Sequence, residues 1–326
     1  MGMHTRVKIR SNRDYTIAEL FDVFKLEKTA YGMSEKTIRN YSESIIRLCK
    51  TLNLKNPQIN ELSKEDIYYF INQLNEEGLK VATINHYLRE LKAFFNWAFV
   101  SGYLNEKIEI KLIKAQEIIK ETYTEEELQK LLVEPKENTF TPWRSWAVIN
   151  WILATGNRER TVCNIKIKDL NFQEKEILLQ QTKNKKVQII PMSSELSAVL
   201  KKYIRLFRFE ADPEEYLFCN IAGEKLTESA LIQSIKTFNN SRGVQRTSIH
   251  AFRHTFAKYW IRNNGDAFRL QKMLGHSSLD MTRNYVNMFS ADLKEGFDSF
   301  SPLDKMVKTT GMKHKIKKNK STLEYL

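Results

Sequence analysis

The strongest constraint on the fold is a run of four amphipathic helical patterns within residues 14–107. Apolar residues recur three or four positions apart in each of them, which is the spacing that places side chains on one face of an α-helix. The four stripes consist of Ile17, Leu20, Phe21 and Phe24; of Ile38, Tyr41, Ile45, Leu48 and Leu52; of Ile67, Phe70, Ile71 and Leu74; and of Ile84, Tyr87, Leu88, Leu91, Phe94, Phe95 and Ala98. Ser34 and Ser63 are suited to cap helix N-termini, and Gly78 to end a helix. The pattern predicts a compact four-helix domain, preceded by a basic arm at residues 1–13.

The chain changes character after this domain. Residues 108–123 are rich in Lys, Glu and Ile without a turn signature, and we interpret them as a linker. Thr124 and Glu127 match a capping box, which marks the start of a second domain, residues 124–300. Within it, an apolar helix precedes a predicted β-hairpin, with strands at Ile177–Gln181 and Val187–Ile190. The predicted fold class is therefore mainly α-helical with a small β-hairpin or sheet.

Residues 301–326 form a basic tail, with seven lysines and no acid between Lys305 and Lys320. The whole chain has 52 Lys and Arg against 39 Asp and Glu, a formal net charge of +13. A surplus of this size favours nucleic acid or an anionic membrane surface as a partner, although a basic protein without either has the same charge. The longest apolar stretch, Trp146–Ala154, is far shorter than the roughly 20 residues that span a bilayer, so nothing in the sequence supports a membrane partner.

Polar and basic residues line the faces opposite to the apolar stripes of the second and fourth helices. They are Lys36, Arg39 and Arg47, and then Asn85, Arg89 and Lys92. On a single helix such a face is usually only solvated. Two of them in a chain with a net charge of +13 predict a surface that faces DNA.

The cysteines give no sign of a metal site or of a disulfide framework. Cys49, Cys163 and Cys219 lie far apart and form neither a CxxC pair nor a zinc-ligand spacing, so we expect reduced thiols. The chain also lacks a carboxylate cluster and a Gly-rich phosphate loop, and no metal or cofactor is expected. Without an apolar signal region at the N-terminus, we expect a cytoplasmic, nucleoid-associated protein.

Three segments of the second domain place polar residues where a core pattern would not. In residues 155–158 an arginine directly follows the end of an apolar helix. His250 and Arg253 lie three positions apart and share one face of a predicted helix. His276 occupies a turn, and Tyr285 lies on the short helix that follows it. Alone, each has an ordinary interpretation: a cation at a helix C-terminus, a surface pair, and a half-buried tyrosine.

Together the three segments resemble the catalytic domain of the tyrosine recombinases, the family of phage integrases, Xer proteins and Cre. The family's first arginine follows a Thr-Gly turn, and Thr155-Gly156-Asn157-Arg158 fits this box. Its second box is His-x-x-Arg followed by His-Thr-Phe-Ala, which residues 250–257 match. Its third box is Leu-Gly-His with the nucleophile nine positions after the histidine, and His276 and Tyr285 fit because 285 − 276 = 9.

The resemblance implies a role for each matching residue. The implied catalytic set consists of Arg158, Lys183, His250, Arg253, His276 and Tyr285. The two arginines would clamp the scissile phosphate, the two histidines would add hydrogen-bond donors, and the tyrosine would form a 3′-phosphotyrosyl link that frees a 5′-hydroxyl. The family's lysine lies in a β-hairpin turn that ends near a proline and acts as the general acid; Lys183 matches best, with Lys185 and Lys186 as alternatives. His254 is interpreted as structural.

The resemblance extends from about Thr16 to Phe300 and also implies architecture and partners. It implies a two-domain, C-shaped clamp around duplex DNA, in which a SAM-like core-binding domain precedes the catalytic domain. The protein would be a monomer in solution and a homo-tetramer on two DNA sites, with accessory DNA-bending proteins as further partners. Strands would be exchanged through a Holliday junction without metal or ATP. The segment Ala291–Phe300 is the candidate for the C-terminal helix that this family passes to a neighbouring protomer.

One position departs from the family pattern. An acidic residue usually stands three positions after the first arginine, and this chain has Thr161 there, so the bracing of Arg158 is expected to differ. Two alternatives stay open: a type IB topoisomerase, which uses the same chemistry on one DNA molecule, and a catalytically weak DNA-binding regulator with the same fold. The separate helical domain argues against the first, and the intact catalytic set argues against the second.

Overall fold

The computed structural model describes residues 14–114, 121–180, 187–276 and 278–289, together with 301–303 and 306. The chain divides into two units, Met1–Ile118 and Ile119–Leu326, and each has its own hydrophobic core. The basic arm, the hairpin turn with Lys183, the segment Ala291–Phe300 and nearly all of the basic tail lie outside the described residues.

The first unit is built from four helices whose ends are set by local capping. They are α1 (Ile17–Ala30), α2 (Glu35–Thr51), α3 (Lys64–Glu76) and α4 (Val81–Val100), with a 3-10 turn at Ile59–Glu61. Ser34 and Ser63 accept hydrogen bonds from backbone N–H groups three residues later, as the sequence predicts. Thr16 caps α1 in the same way, and Glu19 completes a capping box.

The predicted apolar stripes form the core of this unit. Helix α4 contributes Ile84, Leu88, Leu91, Phe94, Phe95 and Ala98, all at most 1% exposed. Phe24 of α1 contacts Phe94 edge-to-face, with ring centroids 5.5 Å apart, and Trp97 at 5.1 Å. Aromatic pairs of this geometry add to the stabilisation that burial alone provides.

The second unit combines eight described helices with a small sheet, which confirms the predicted mainly α-helical class. The helices are α5 (Glu125–Leu132), α6 (Phe140–Thr155), α7 (Glu159–Val162), α8 (Ser194–Phe207), α9 (Glu228–Ser241), α10 (Ile249–Arg262), α11 (Ala267–Leu274) and α12 (Leu279–Phe289). Thr124 and Glu127 form the predicted capping box of α5. The apolar helix α6 packs against α5, α8, α9 and α10 and is the centre of this core.

The sheet has three antiparallel strands in the order β1 (Leu170–Asn171), β2 (Glu176–Leu179) and β3 (Gln188–Pro191). Strands β2 and β3 are the predicted hairpin, with Ile177 opposite Ile190. Strand β1 was not predicted, because two residues are too few to give an alternating pattern. Ile177, Leu179 and Ile190 point into the core, so the sheet is fixed on one face by packing.

The sequence predicts that Asn85 lies on the exposed polar face of α4, and the structure corrects this prediction. Its side chain is only 7% exposed. Its Nδ2 donates to the carbonyl of Ile113, and its Oδ1 accepts from the Ile113 N–H, both at 2.8 Å. The placement was wrong because a partner 28 positions away satisfies the amide, which helical periodicity cannot reveal.

The segment predicted as a linker, 108–123, is held at both ends. Ile110 is buried in the core of the first unit. Tyr123 is fully buried in the second unit and stacks on Phe252, with ring centroids 3.9 Å apart. Its hydroxyl also donates to the carbonyl of Ser248 at 3.1 Å.

Candidate active site

Arg158 lies in the turn that follows the end of helix α6. Gly156 has φ 65°, a left-handed backbone conformation that residues with a Cβ rarely adopt. A Cβ there would lie 2.5 Å from Cδ1 of Phe256 and 2.7 Å from Cδ2 of Leu274, so the space also requires glycine. Asn157, the next residue, accepts a 3.0 Å hydrogen bond from Nε1 of Trp151 through its Oδ1. The sequence Thr-Gly-Asn-Arg therefore ends the helix and sets the direction in which the arginine emerges.

Arg253 is held by the ends of two helices. Gly275, like Gly156, is a left-handed cap, and it ends α11. Nη1 of Arg253 donates to the carbonyl of Gly156 at 2.5 Å, and Nη2 donates to the carbonyl of Leu274 at 2.8 Å. Helix C-termini present unpaired carbonyls and a partial negative charge, so they suit a buried cation. Arg253 is 6% exposed and is one of the few buried charged residues in the described chain.

The two arginines are close enough to affect each other. Burial and, to a smaller extent, the positive charge of Arg158 lower the pKa of Arg253 to about 10. Arg253 is therefore still protonated at neutral pH. The guanidinium of Arg158 lies beside Gly275, with Nη1 3.8 Å from the position of a Cβ there. Two cations held this close favour an anion between them.

His276 follows Gly275 and is also buried, at 9% exposure. Its Nε2 lies 3.0 Å from Nη2 of Arg253, and its Nδ1 lies 2.8 Å from Oγ1 of Thr282. Since a guanidinium only donates, Nε2 is the acceptor and the neutral ring carries its proton on Nδ1. To donate to a substrate oxygen from Nε2, His276 has to gain a second proton or to change tautomer, with the Thr282 hydroxyl donating to Nδ1.

Tyr285 reaches this cluster from α12 and is only 2% exposed. Its ring lies parallel to that of His276, with centroids 6.0 Å apart and an interplanar angle of 9°. Burial raises the pKa of Tyr285, while the charge of Arg253, a hydrogen bond with Arg253 and the charge of Arg158 lower it. The phenol is therefore a protonated nucleophile at neutral pH, surrounded by cations that would stabilise its anion.

His254, which is interpreted from the sequence as structural, also contacts Tyr285 in this cluster. Its Nδ1 lies 2.7 Å from Oη of Tyr285, and the two ring centroids are 5.6 Å apart. The sequence spacing is consistent with this contact, because His254 lies four positions after His250 and therefore on the same face of α10.

His250 lies one turn earlier on α10 and is more open to solvent, with 58% of its side chain exposed. Its Nε2 is 3.4 Å from Oε1 of Glu159. Thr161, which stands where the family usually has an acid, lies on the same short helix α7 and donates its N–H to the carbonyl of Arg158 at 2.9 Å. A carboxylate is thus present near the site, two positions earlier than the family pattern places it.

Lys183 and its alternatives Lys185 and Lys186 lie outside the described residues. Strand β3 begins at Gln188, whose Nε2 donates to the carbonyl of Lys272 at 2.6 Å. Its Oε1 lies 3.9 Å from the position of a Cβ on Gly275. The strand that follows the hairpin turn therefore starts beside the active-site cluster.

Two further properties concern only the described part of the chain. Within it, no group of three or more His, Cys, Asp or Glu side chains is placed to hold a metal ion. No helix there is both long enough and apolar enough to cross a membrane.

Two sequence profiles match this chain. Residues 121–291 match the phage integrase family, and residues 20–101 match the phage integrase N-terminal SAM-like domain. The chain is 25% identical over 304 residues to the tyrosine recombinase XerC of Thermodesulfovibrio yellowstonii, covering 90% of this chain and 99% of that protein. It is 27% identical over 294 residues to the tyrosine recombinase XerA of Pyrococcus furiosus, covering 89% and 96%.

Two solved structures share the fold. One is the Tn1549 transposon integrase in complex with transposon right end DNA, with a TM-score of 0.71, 20% identity, and coverage of 90% of this chain and 100% of that one. The other is a lambda integrase tetramer bound to a Holliday junction, with a TM-score of 0.69, 17% identity, and coverage of 88% and 81%.

Proposed function

This chain belongs to the phage integrase family, and we propose that it is a site-specific DNA recombinase in which Tyr285 cuts and rejoins DNA strands. The observation that carries the assignment of the nucleophile is the convergence of Tyr285, Arg253 and His276 in one buried cluster. These residues come from two helices and a turn, and the charge of Arg158 acts on the same cluster. Such an arrangement suits attack on a phosphodiester.

The two arginines bind the scissile phosphate. Attack on a phosphodiester builds negative charge on its non-bridging oxygens, and guanidinium groups offer forked donors that match these oxygens. Arg253 is oriented by two backbone carbonyls, so little reorganisation is needed when the phosphate arrives. His250 and His276 supply further donors, and His276 does so once its Nε2 carries a proton.

Tyr285 attacks phosphorus and forms a 3′-phosphotyrosyl link, and the bond to the 5′ oxygen breaks. The leaving oxygen takes a proton from Lys183, the general acid of the proposal. The position of Gln188 beside Gly275 supports this role, because Lys183 belongs to the short stretch of chain between β2 and β3, and β3 begins at Gln188. In the reverse step a 5′-hydroxyl attacks the phosphotyrosyl bond, so rejoining needs no ATP.

The first unit contacts duplex DNA through α2 and α4 in this proposal. Four of the six predicted contact residues are exposed: Lys36, Arg39, Arg89 and Lys92. Arg47 is half-buried and pairs with Glu77, and Asn85 is buried, so these two are not part of the proposed surface. Exposed basic residues supply the sequence-independent part of DNA affinity.

The active assembly is a homo-tetramer on two DNA sites, formed from monomers, that exchanges strands through a Holliday junction. An apolar groove of about 530 Å³ in the second unit supports this assembly. Its lining includes Leu128, Leu132, Leu153, Phe256, Tyr259 and Trp260. We propose that Ala291–Phe300 of a neighbouring copy of the chain binds in this groove. The reaction takes place on nucleoid DNA in the cytoplasm, with accessory DNA-bending proteins.

The test uses DNA that flanks the gene, because a recombinase of a mobile element acts on the ends of that element. The segment that the protein protects from nuclease digestion defines a core duplex. Two differently labelled molecules that carry this core duplex should yield recombinant products when they are incubated with the protein. Relaxation of supercoiled DNA without such products would instead identify a topoisomerase, and protection without any cleavage would identify a regulator. Neither alternative is favoured by the relatives, which are recombinases.

A further inference from the structure

The phenol of Tyr285 needs a group that accepts its proton, because a neutral phenol is a weak nucleophile toward a phosphodiester. Three histidines surround the site, on α10 and in the turn after α11. The contact between Nδ1 of His254 and Oη of Tyr285, 2.7 Å long, joins one of them directly to the reacting oxygen. Its length suits proton transfer between the two groups.

The other two histidines are engaged differently. Nε2 of His276 accepts from Arg253, and its Nδ1 faces Thr282, so both ring nitrogens have hydrogen-bonding partners. A proton on Nε2 of His276 would also face the donating guanidinium of Arg253, which disfavours it until a phosphate comes between them. His250 is exposed and lies next to Glu159.

Charged and titratable groups from every neighbouring element bear on this contact. Arg253 on α10 and Arg158 before α7 stabilise a phenolate, and the ring of His276 after α11 lies parallel to that of Tyr285. Glu159 on α7 lies near enough to act on Arg253. The surroundings thus favour loss of the phenol proton, and His254 is placed to take it.

We propose that His254 is the general base of strand cleavage, an inference that rests on the proposed function of Tyr285 as the nucleophile. As Oη attacks phosphorus, the O–H bond breaks and its proton moves to Nδ1 of His254, which becomes an imidazolium. The bond from phosphorus to the 5′ oxygen breaks, and that oxygen receives its proton from the general acid. On rejoining, the 5′ oxygen attacks phosphorus and returns its proton to the general acid, while the phosphotyrosyl bond breaks and the imidazolium returns its proton to Oη. Protons and electron pairs balance without a co-reactant.

The test measures single-turnover cleavage of a nicked core duplex, on which cleavage is trapped, by the full chain and by two variants. His254→Asn places an amide oxygen near the position of Nδ1, so it keeps a hydrogen-bond acceptor for Tyr285 but cannot take a proton. His254→Ala removes the contact. Both should cleave about 10²–10⁴-fold more slowly than the native protein, as expected when a general base is lost. Added imidazole should restore part of the rate of His254→Ala.

The pH profile gives a second readout. Native cleavage should rise with pH and level off once the base is neutral, whereas both variants should rise in proportion to hydroxide from about pH 6 to pH 9. Lys258→Asn, which introduces asparagine one helical turn further along α10, is the matched control and should keep the native cleavage rate and pH profile.

Native cleavage by the His254→Asn protein would overturn the inference, because it would reduce His254 to a positioning residue. Unchanged or faster cleavage by His254→Ala would overturn it as well. Failure of the proposed function looks different: the native protein would then form no covalent adduct. If the native adduct forms and depends on Tyr285, the proposed function stands whatever the result at His254.

Discussion

Nη1 of Arg253 donates a 2.5 Å hydrogen bond to the backbone carbonyl of Gly156, the residue that ends helix α6. This bond ties an active-site cation to a turn whose conformation only glycine adopts easily. The residue after the next is Arg158, so one turn orients both arginines. Stability and catalysis therefore depend on the same few backbone atoms.

Gly156→Ala should be costly for this reason. The left-handed backbone costs a residue with a Cβ about 1–2 kcal/mol. The clash with Phe256 and Leu274 should add about 1–3 kcal/mol, as overpacking does in cores. Gly243→Ala is the control, because Gly243 has φ +68° but nothing lies within 4 Å of a Cβ there. Denaturant unfolding of both variants checks this, and an equal loss of stability would contradict it.

Glu159 should contribute only modestly to the rate of cleavage, and it should do so through its contact with His250. The pair is largely exposed on the histidine side, and exposed ion pairs contribute about 0.2–1 kcal/mol. Glu159→Gln should therefore slow cleavage by no more than about five-fold. Most of the effect should disappear in a His250→Asn background, which a double-mutant cycle of cleavage rates measures. An equal effect in both backgrounds would mean that Glu159 acts on another group.

Lys183 should be the general acid. Lys183→Ala is expected to slow cleavage about 10²–10⁴-fold. A 5′-bridging phosphorothiolate should restore most of this rate, because its sulfur leaves without a proton. Lys185→Ala and Lys186→Ala serve as comparisons. If one of them is rescued and Lys183→Ala is not, the acid lies elsewhere in the hairpin turn.

Cleavage should not depend on a divalent metal, because the charge that develops on the phosphate is met by cationic side chains. Excess EDTA should leave the single-turnover rate on the nicked core duplex unchanged. The opposite result, a loss that Mg²⁺ restores, would require a different chemistry at this site.

Much of the fold could be predicted where local chemistry decides the structure. Ser34, Ser63 and Thr124 begin helices because their side chains satisfy backbone N–H groups only three residues away. Asn85 was misplaced because its partner, Ile113, lies far along the chain. Similarly, the contact between His254 and Tyr285 joins residues 31 positions apart, and no local pattern encodes it.

Tyr285→Phe tests most directly whether Tyr285 is the nucleophile. The substitution removes one oxygen and its hydrogen bond, at a cost of about 0.5–1.5 kcal/mol, while the buried ring keeps its packing. Arg158, Arg253 and the basic residues of the first unit stay in place, so DNA affinity should change little. Without Oη no phosphotyrosyl bond can form.

The measurement is the covalent protein–DNA adduct on a denaturing gel, formed on the nicked core duplex. Tyr259→Phe and Tyr203→Phe are the controls; the first removes an exposed hydroxyl, and the second a buried one with no partner among the described residues. Both controls should form the adduct at the native level, and Tyr285→Phe should form none while still binding the duplex. An adduct with the Tyr285→Phe protein would contradict the assignment and place the nucleophile elsewhere.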